Sequence, residues 1–79
     1  MEESTLPRDE KARSVEAKRV IDERGSEGYR RAVELVGVTE ADNLLAGNIR
    51  REWHKTHDSD PDPENVNEIV AAVRRKCGY

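Results

Sequence analysis

The residues best suited to catalysis stand together in the second half of the chain. Thr56, His57 and Asp58 are consecutive and carry a hydroxyl, an imidazole and a carboxylate, which are groups that nucleophilic catalysis combines. Adjacent residues of a helix do not face one another, so these side chains are not expected to form a hydrogen-bonded chain. A protein of 79 residues also has little room for a substrate pocket. We therefore predict that the protein is not an enzyme and has no catalytic residue, no cofactor and no small-molecule substrate.

Zinc-ligating residue types are present, but nothing in their spacing brings them together. His54 and His57 lie three residues apart, and Cys77, the single cysteine, could complete a site with them. Cys77 also fits the apolar face of its own helix, and histidines near a helix end are commonly exposed. We predict no zinc site.

The acidic segment 58–64 is a second candidate for metal binding, because it carries four carboxylates in seven residues. Alternating acidic residues open the calcium-binding loop of EF-hands. That loop needs glycine at its sixth position and glutamate at its twelfth, where this sequence has Pro63 and Ile69. The segment is therefore expected to be a stiff acidic linker, and no metal is predicted.

Residues 28–57 have the organisation of a helix-turn-helix, with a turn at Gly37 and a second helix that begins near Thr39. Such a motif places its second helix in the major groove of DNA. The carboxylates of Glu40 and Asp42 would stand in the first turn of that helix and repel phosphates. A small DNA-binding regulator of phage or plasmid type is therefore our alternative hypothesis. Under it, the contacts to DNA come from the basic residues Arg30, Arg31, Arg50, Arg51, Lys55, Arg74, Arg75 and Lys76.

The composition indicates a folded domain with a thin core. Fifteen of the 79 residues are Val, Leu or Ile, none is Phe, and the mixed charges leave a net charge of −3. A chain this short is near the lower limit for folding alone. It has no apolar run of the ~20 residues that cross a bilayer, its acidic start has no signal-peptide core, and its single cysteine suits a reducing compartment. We predict a cytoplasmic protein without membrane contact.

The main functional hypothesis follows from the thin core. Small domains often gain stability from a partner chain, and amphipathic helices provide faces for one. We predict a non-enzymatic interaction or regulatory module that binds a protein partner or itself, as a homodimer. Aromatic residues are common at the centres of interfaces. The candidate interface residues lie on the apolar faces of the two middle helices, and they are Trp53, Ile49, Leu45 and Tyr29.

Four helical segments must position these residues. Apolar residues recur at helical spacing, and no segment alternates as a strand does. The predicted fold class is all-α, either a small four-helix bundle or an orthogonal helical array with short loops. A flexible tail, 1–8, precedes a single domain, 9–79. The helices are expected at about 9–24, 27–36, 40–57 and 63–77.

Capping residues set the expected boundaries of the last two helices. Thr39 and Asp42 have the spacing of a capping box, which would start the third helix. Asp62 followed by Pro63 predicts the N-cap and first turn of the fourth. The fourth helix is then expected to bury one apolar face, formed by Val66, Ile69, Val70, Val73 and Cys77.

Overall fold

The computed structural model describes residues 9–79, and all regular structure in this range is helical. The all-α prediction is therefore confirmed, and the predicted tail, 1–8, lies outside the described residues. In chain order the elements are α1 (Glu10–Arg24), a 3-10 turn (Gly25–Gly28), α2 (Tyr29–Val36), α3 (Val38–His54) and α4 (Pro63–Lys76).

The finer prediction of a four-helix bundle is not supported. Three helices have 14 to 17 residues, but α2 has only eight. Eight residues span about 12 Å, which is too short to form one side of a bundle beside the other three. Instead, α1, α2 and α3 pack on one another, and α4 makes its main contacts with α3. The result is an elongated body of 46 × 25 × 17 Å.

Glycine ends α2, but the predicted cap of α3 is absent. Gly37 alone separates the two helices, and its φ of +90° favours a residue without a Cβ. α3 then begins at Val38, with no hydrogen bond from a capping side chain. The capping box predicted from Thr39 and Asp42 is therefore wrong, because the helix starts before Thr39 and Asp42 binds other partners.

The third helix ends at His54, three residues before its expected end, and Trp53 attaches the following loop to it. The indole Nε1 of Trp53 donates to the carbonyl oxygen of Ser59 at 2.7 Å. The indole ring also stacks on the His57 ring, with centroids 3.7 Å apart and planes 9° from parallel. Pro61 is buried in the same loop. Trp53 therefore serves mainly to hold the connection between α3 and α4.

The start of α4 agrees with its sequence signals. The Asp62 side chain caps the helix by accepting from the Glu64 amide at 3.0 Å, and Pro63 occupies the first turn. Near the other end, Arg74 of α4 contacts Asp42 near the beginning of α3. The two helices therefore run in opposite directions.

The core draws on all four helices. Its largest fully buried side chains are Tyr29, Ile21, Leu45 and Val66. The remaining buried members of the core cluster are small or aliphatic, namely Ala17, Ala32, Leu35, Ala41 and Val70. A core with one aromatic ring and several alanines leaves little apolar area to stabilise the fold.

A partly exposed polar network borders this core at the phenol of Tyr29. The Tyr29 hydroxyl donates to the Asp42 carboxylate, which also accepts from Arg74 at 3.0 Å. The ring of Tyr79, next to the end of α4, meets Tyr29 edge to face, with centroids 6.3 Å apart. These contacts join α2, α3 and α4. Burial raises the pKa of the Tyr29 hydroxyl well above its ordinary value of 10, and the hydrogen bond to Asp42 raises it further.

The raised pKa of Tyr29 predicts that the protein loses stability at alkaline pH. Below pH 10 the tyrosine is protonated in both the folded and the unfolded chain, so its contribution is fully present. Above pH 10 the unfolded chain releases the proton and the folded chain keeps it, which favours unfolding. The fall in melting temperature from pH 9 to pH 11 should therefore be smaller in Tyr29→Phe than in the wild type. Tyr79→Phe, which changes a half-exposed tyrosine, should retain the wild-type fall; equal falls in all three proteins would contradict the prediction.

Candidate protein-interaction surface

Two sides of α4 have different surroundings. Val66 and Val70 are buried in the core, with 1 % and 7 % of their surfaces exposed. Another side, whose residues also recur at helical spacing, faces solvent. We call this exposed row the α4 stripe, and its residues are Asn65, Glu68, Ile69, Ala72 and Lys76.

The centre of the α4 stripe is apolar. Ile69 is 47 % exposed, and Ala72 and Val73 follow it one turn further along the helix. Val15 on α1 is also exposed, but apart from the small Ala12 it lies among charged side chains such as Lys18 and Asp22. Scattered exposed aliphatic residues are ordinary, whereas adjacent ones can form a contact surface. Ile69 is thus the exposed aliphatic residue with the more apolar surroundings.

A groove adjoins the α4 stripe, between α4 and the 3-10 turn. Its volume is about 410 Å³. On one side it is lined by Ala72, Val73 and Lys76 of α4 and by Cys77 after its end, and on the other by Ser26, Glu27 and Arg30. Arg30 closes one end by donating to the Cys77 carbonyl oxygen at 3.3 Å. Apart from Lys76, the α4 side of the groove is apolar, and the groove is large enough to admit an aliphatic side chain of a partner.

The stripe also carries two charged residues that form no ion pair with the described part of the chain. Among residues 9–79, neither Glu68 nor Lys76 forms an ion pair. Lys76 ends α4 and complements the negative end of its helix dipole. Glu68 is the sixth residue of α4, beyond the first turn where the dipole acts, so the helix dipole does not account for it.

Comparisons with known proteins found no relative of this chain. No protein-family model matches the chain, and comparisons with curated proteins and with solved structures gave no match. No helix between residues 9 and 79 is long and apolar enough to cross a membrane. The function therefore has to be inferred from this chain's own side chains.

The four residues predicted for the interface do not form one surface. Leu45 and Tyr29 are 1 % and 0 % exposed, so no partner can reach them in the folded chain. Ile49 is partly buried against the core, and Trp53 is half-buried under its own loop. Ile69, which does face outward, is predicted by its helical spacing to lie in the core, and the structure shows that this prediction is wrong.

Four of the eight basic residues predicted to contact DNA are paired within the protein. Arg50 and Arg51 are neighbours in sequence but diverge: Arg51 reaches Asp22 on α1, and Arg50 lines a groove between α3 and α4. Arg30 and Lys76 lie at a third place, beside the 3-10 turn. The eight residues therefore do not share one face. The internal pairs are Arg31 with Glu34, Arg51 with Asp22, Lys55 with Glu52, and Arg74 with Asp42.

Two of the three candidate catalytic residues, Thr56 and His57, are in contact, which the sequence did not predict. Because α3 ends early, residues 55–57 form a turn, and the Thr56 hydroxyl lies 2.9 Å from His57 Nδ1. Both atoms also approach the Trp53 carbonyl oxygen, at 3.3 and 3.1 Å, so the contact belongs to the end of the helix. Asp58 takes no part in these contacts, and both side chains are exposed.

The candidate metal ligands are separated. Within residues 9–79, no group of three or more His, Cys, Asp or Glu side chains is arranged to hold a metal ion. His54 Nε2 contacts Asp60 at 2.8 Å, and His57 stacks on Trp53. Cys77 lies past the opposite end of α4, which is about 21 Å long.

Proposed function

We propose that this protein is a non-enzymatic interaction or regulatory module that binds protein through the α4 stripe and the groove beside it. The observation that carries the proposal is the exposed Ile69 next to the apolar side of that groove. Covering the exposed half of an isoleucine contributes about 1 kcal/mol, and filling the groove adds to it. The cytoplasm is the proposed location, because the single free cysteine suits a reducing compartment.

The thin core supports the same proposal. A short chain with few large apolar side chains gains stability when a partner covers further apolar surface. α4 makes its main contacts with α3, and the residues of the α4 stripe are left exposed. A protein surface with an apolar centre and a charged rim matches this stripe.

DNA binding has less support from the arrangement of the basic residues. A recognition helix needs cations that converge on one surface, whereas Arg50, Arg51 and Arg30 lie at three different places. Asp42, in the first turns of α3, is held by Tyr29 and Arg74 and cannot read a base. Arg50 would be the central contact, so loss of duplex binding in Arg50→Glu, with a smaller dependence on salt, would restore this hypothesis.

Site-specific photocrosslinking in the cells that make the protein tests the proposed function. A diazirine amino acid is placed at Ile69 or, as the matched control, at Val15, which is an exposed aliphatic position on another helix. We expect a discrete protein adduct at position 69 and much less adduct at position 15, because only the former lies in the stripe. The mass of the adduct, and peptide sequencing of the crosslinked segment, identify the partner. Equal labelling at the two positions, or no adduct at 69, would contradict the proposal.

A further inference from the structure

We infer that the partner of the α4 stripe is the same stripe of a second copy of this chain, running antiparallel. This inference rests on the proposed function, because it names the partner of that surface. The order of residues along the stripe carries it: after Asn65 come acidic Glu68, then apolar Ile69 and Ala72, and finally basic Lys76. Such an order complements itself when two copies run in opposite directions.

The spacing of the two charges fixes where the copies cross. Ala72 lies midway between Glu68 and Lys76, four residues from each, which is about 6 Å along the helix axis. If a twofold axis passes at Ala72, Glu68 of each chain lies level with Lys76 of the other, and symmetry makes this contact twice. A parallel pair would oppose Glu68 to Glu68 and Lys76 to Lys76, which repel.

The apolar residues fit the same crossing. In this register, Ile69 of the second copy lies level with residue 75 of the first, between Ala72 and Lys76 along the helix. Both of these residues line the groove beside the stripe, so each Ile69 enters the groove of the other copy. The small side chain of Ala72 at the axis lets the two helices approach closely.

Two further charged residues of α4, beside the stripe, have the same order along the helix, with the acidic one first and the basic one last. Glu64 near the start of α4 and Arg75 near its end are both exposed, and neither forms an ion pair within residues 9–79. In the antiparallel pair each lies toward the oppositely charged end of the other helix. The charges of α4 therefore favour self-association in one direction only.

Charge exchange with purified protein tests the pairing. Glu68→Lys and Lys76→Glu each place like charges at both contacts of a homodimer, and we expect each to weaken self-association about tenfold. An equimolar mixture of the two variants places opposite charges at both contacts, so it should recover the wild-type dimer as a heterodimer. Sedimentation equilibrium over a range of concentrations measures the association. Circular dichroism confirms that each variant is folded, which is expected because both positions are exposed and unpaired.

Three outcomes would overturn the inference: a wild-type protein that stays monomeric, single variants that associate as the wild type does, or a mixture that recovers nothing. A monomeric protein whose position 69 still crosslinks to a different protein would leave the proposed function standing and remove only the second copy. If the purified protein forms a charge-sensitive dimer but position 69 gives no specific crosslink in cells, the pairing of the two copies would stand and the proposed function in the cell would not.

Disulfide formation at the twofold axis is an independent measurement of the same register. Ala72→Cys in a Cys77→Ala background should form an intermolecular disulfide under mild oxidation, because the two copies of residue 72 face each other. Val15→Cys in the same background is the control and should crosslink at least tenfold more slowly, since α1 is away from the axis. Equal rates at the two positions would overturn the register.

Discussion

Replacing Gly28 by alanine should destabilise the protein by about 3 kcal/mol, which is a large part of the free energy of unfolding of so small a domain. A Cβ at this position would lie 2.7 Å from the carbonyl oxygen of Val20 and 2.7 Å from its Cγ1. The backbone of Gly28 has φ −87°, which alanine adopts freely, so the cost comes from the contact alone. Because one obstacle is a backbone atom of α1, a rotamer change cannot relieve it. Chemical denaturation followed by far-UV circular dichroism measures the loss.

Gly47→Ala is the matched control and should change stability in the opposite direction. Gly47 lies inside α3, and a Cβ there would meet only the Arg51 guanidinium at 3.6 Å, an ordinary contact. Alanine is favoured over glycine inside a helix by about 0.5–1 kcal/mol. If Gly28→Ala were as stable as the wild type, the close approach of the 3-10 turn to α1 would be wrong.

The same contact explains where sequence reasoning missed a local feature of the fold. The predicted turn at Gly37 is where α2 ends, and Gly25 ends α1; the positive φ of both positions favours glycine. The sequence predicts that the segment between α1 and α2 belongs to the second helix from about residue 27. It is instead a 3-10 turn without a side-chain cap, since Gly28 must lie against Val20. A contact between two elements that are not yet placed cannot be derived from helical spacing.

The candidate surface was missed for a related reason. Helical spacing put Ile69 with Val66 and Val70 on one broad apolar side of α4, although successive residues point 100° apart. The side that α3 covers is centred on Val66 and Val70, which leaves Ile69 half in solvent. The breadth of the apolar side indicated that α4 could have both a core-facing surface and an exposed one. The way α4 packs on α3 decides which of the two is buried, and the sequence of α4 alone does not determine that packing.

Removing the carboxylate of Asp42 should cost about 2–3 kcal/mol, the second large effect that the structure predicts. Asp42→Ala leaves the hydroxyl of Tyr29, a fully buried residue, without its acceptor, and a buried unsatisfied donor costs about 1–3 kcal/mol. It also removes the 3.0 Å ion pair with Arg74, whose carboxylate partner is only 23 % exposed. The connection of α4 to the other helices is therefore weakened together with the core. Denaturant unfolding at neutral pH measures this loss.

Asp22→Ala is the control that separates this network from an ordinary ion pair between helices. Asp22 also joins two helices, since it contacts Arg51 of α3 as well as Lys18 of its own helix. Its carboxylate is 37 % exposed and accepts from no buried hydroxyl, so water replaces most of what the substitution removes. We expect a loss below about 1 kcal/mol for Asp22→Ala. Equal losses for the two substitutions would mean that Tyr29 finds another acceptor, and that Asp42 contributes only as a surface charge.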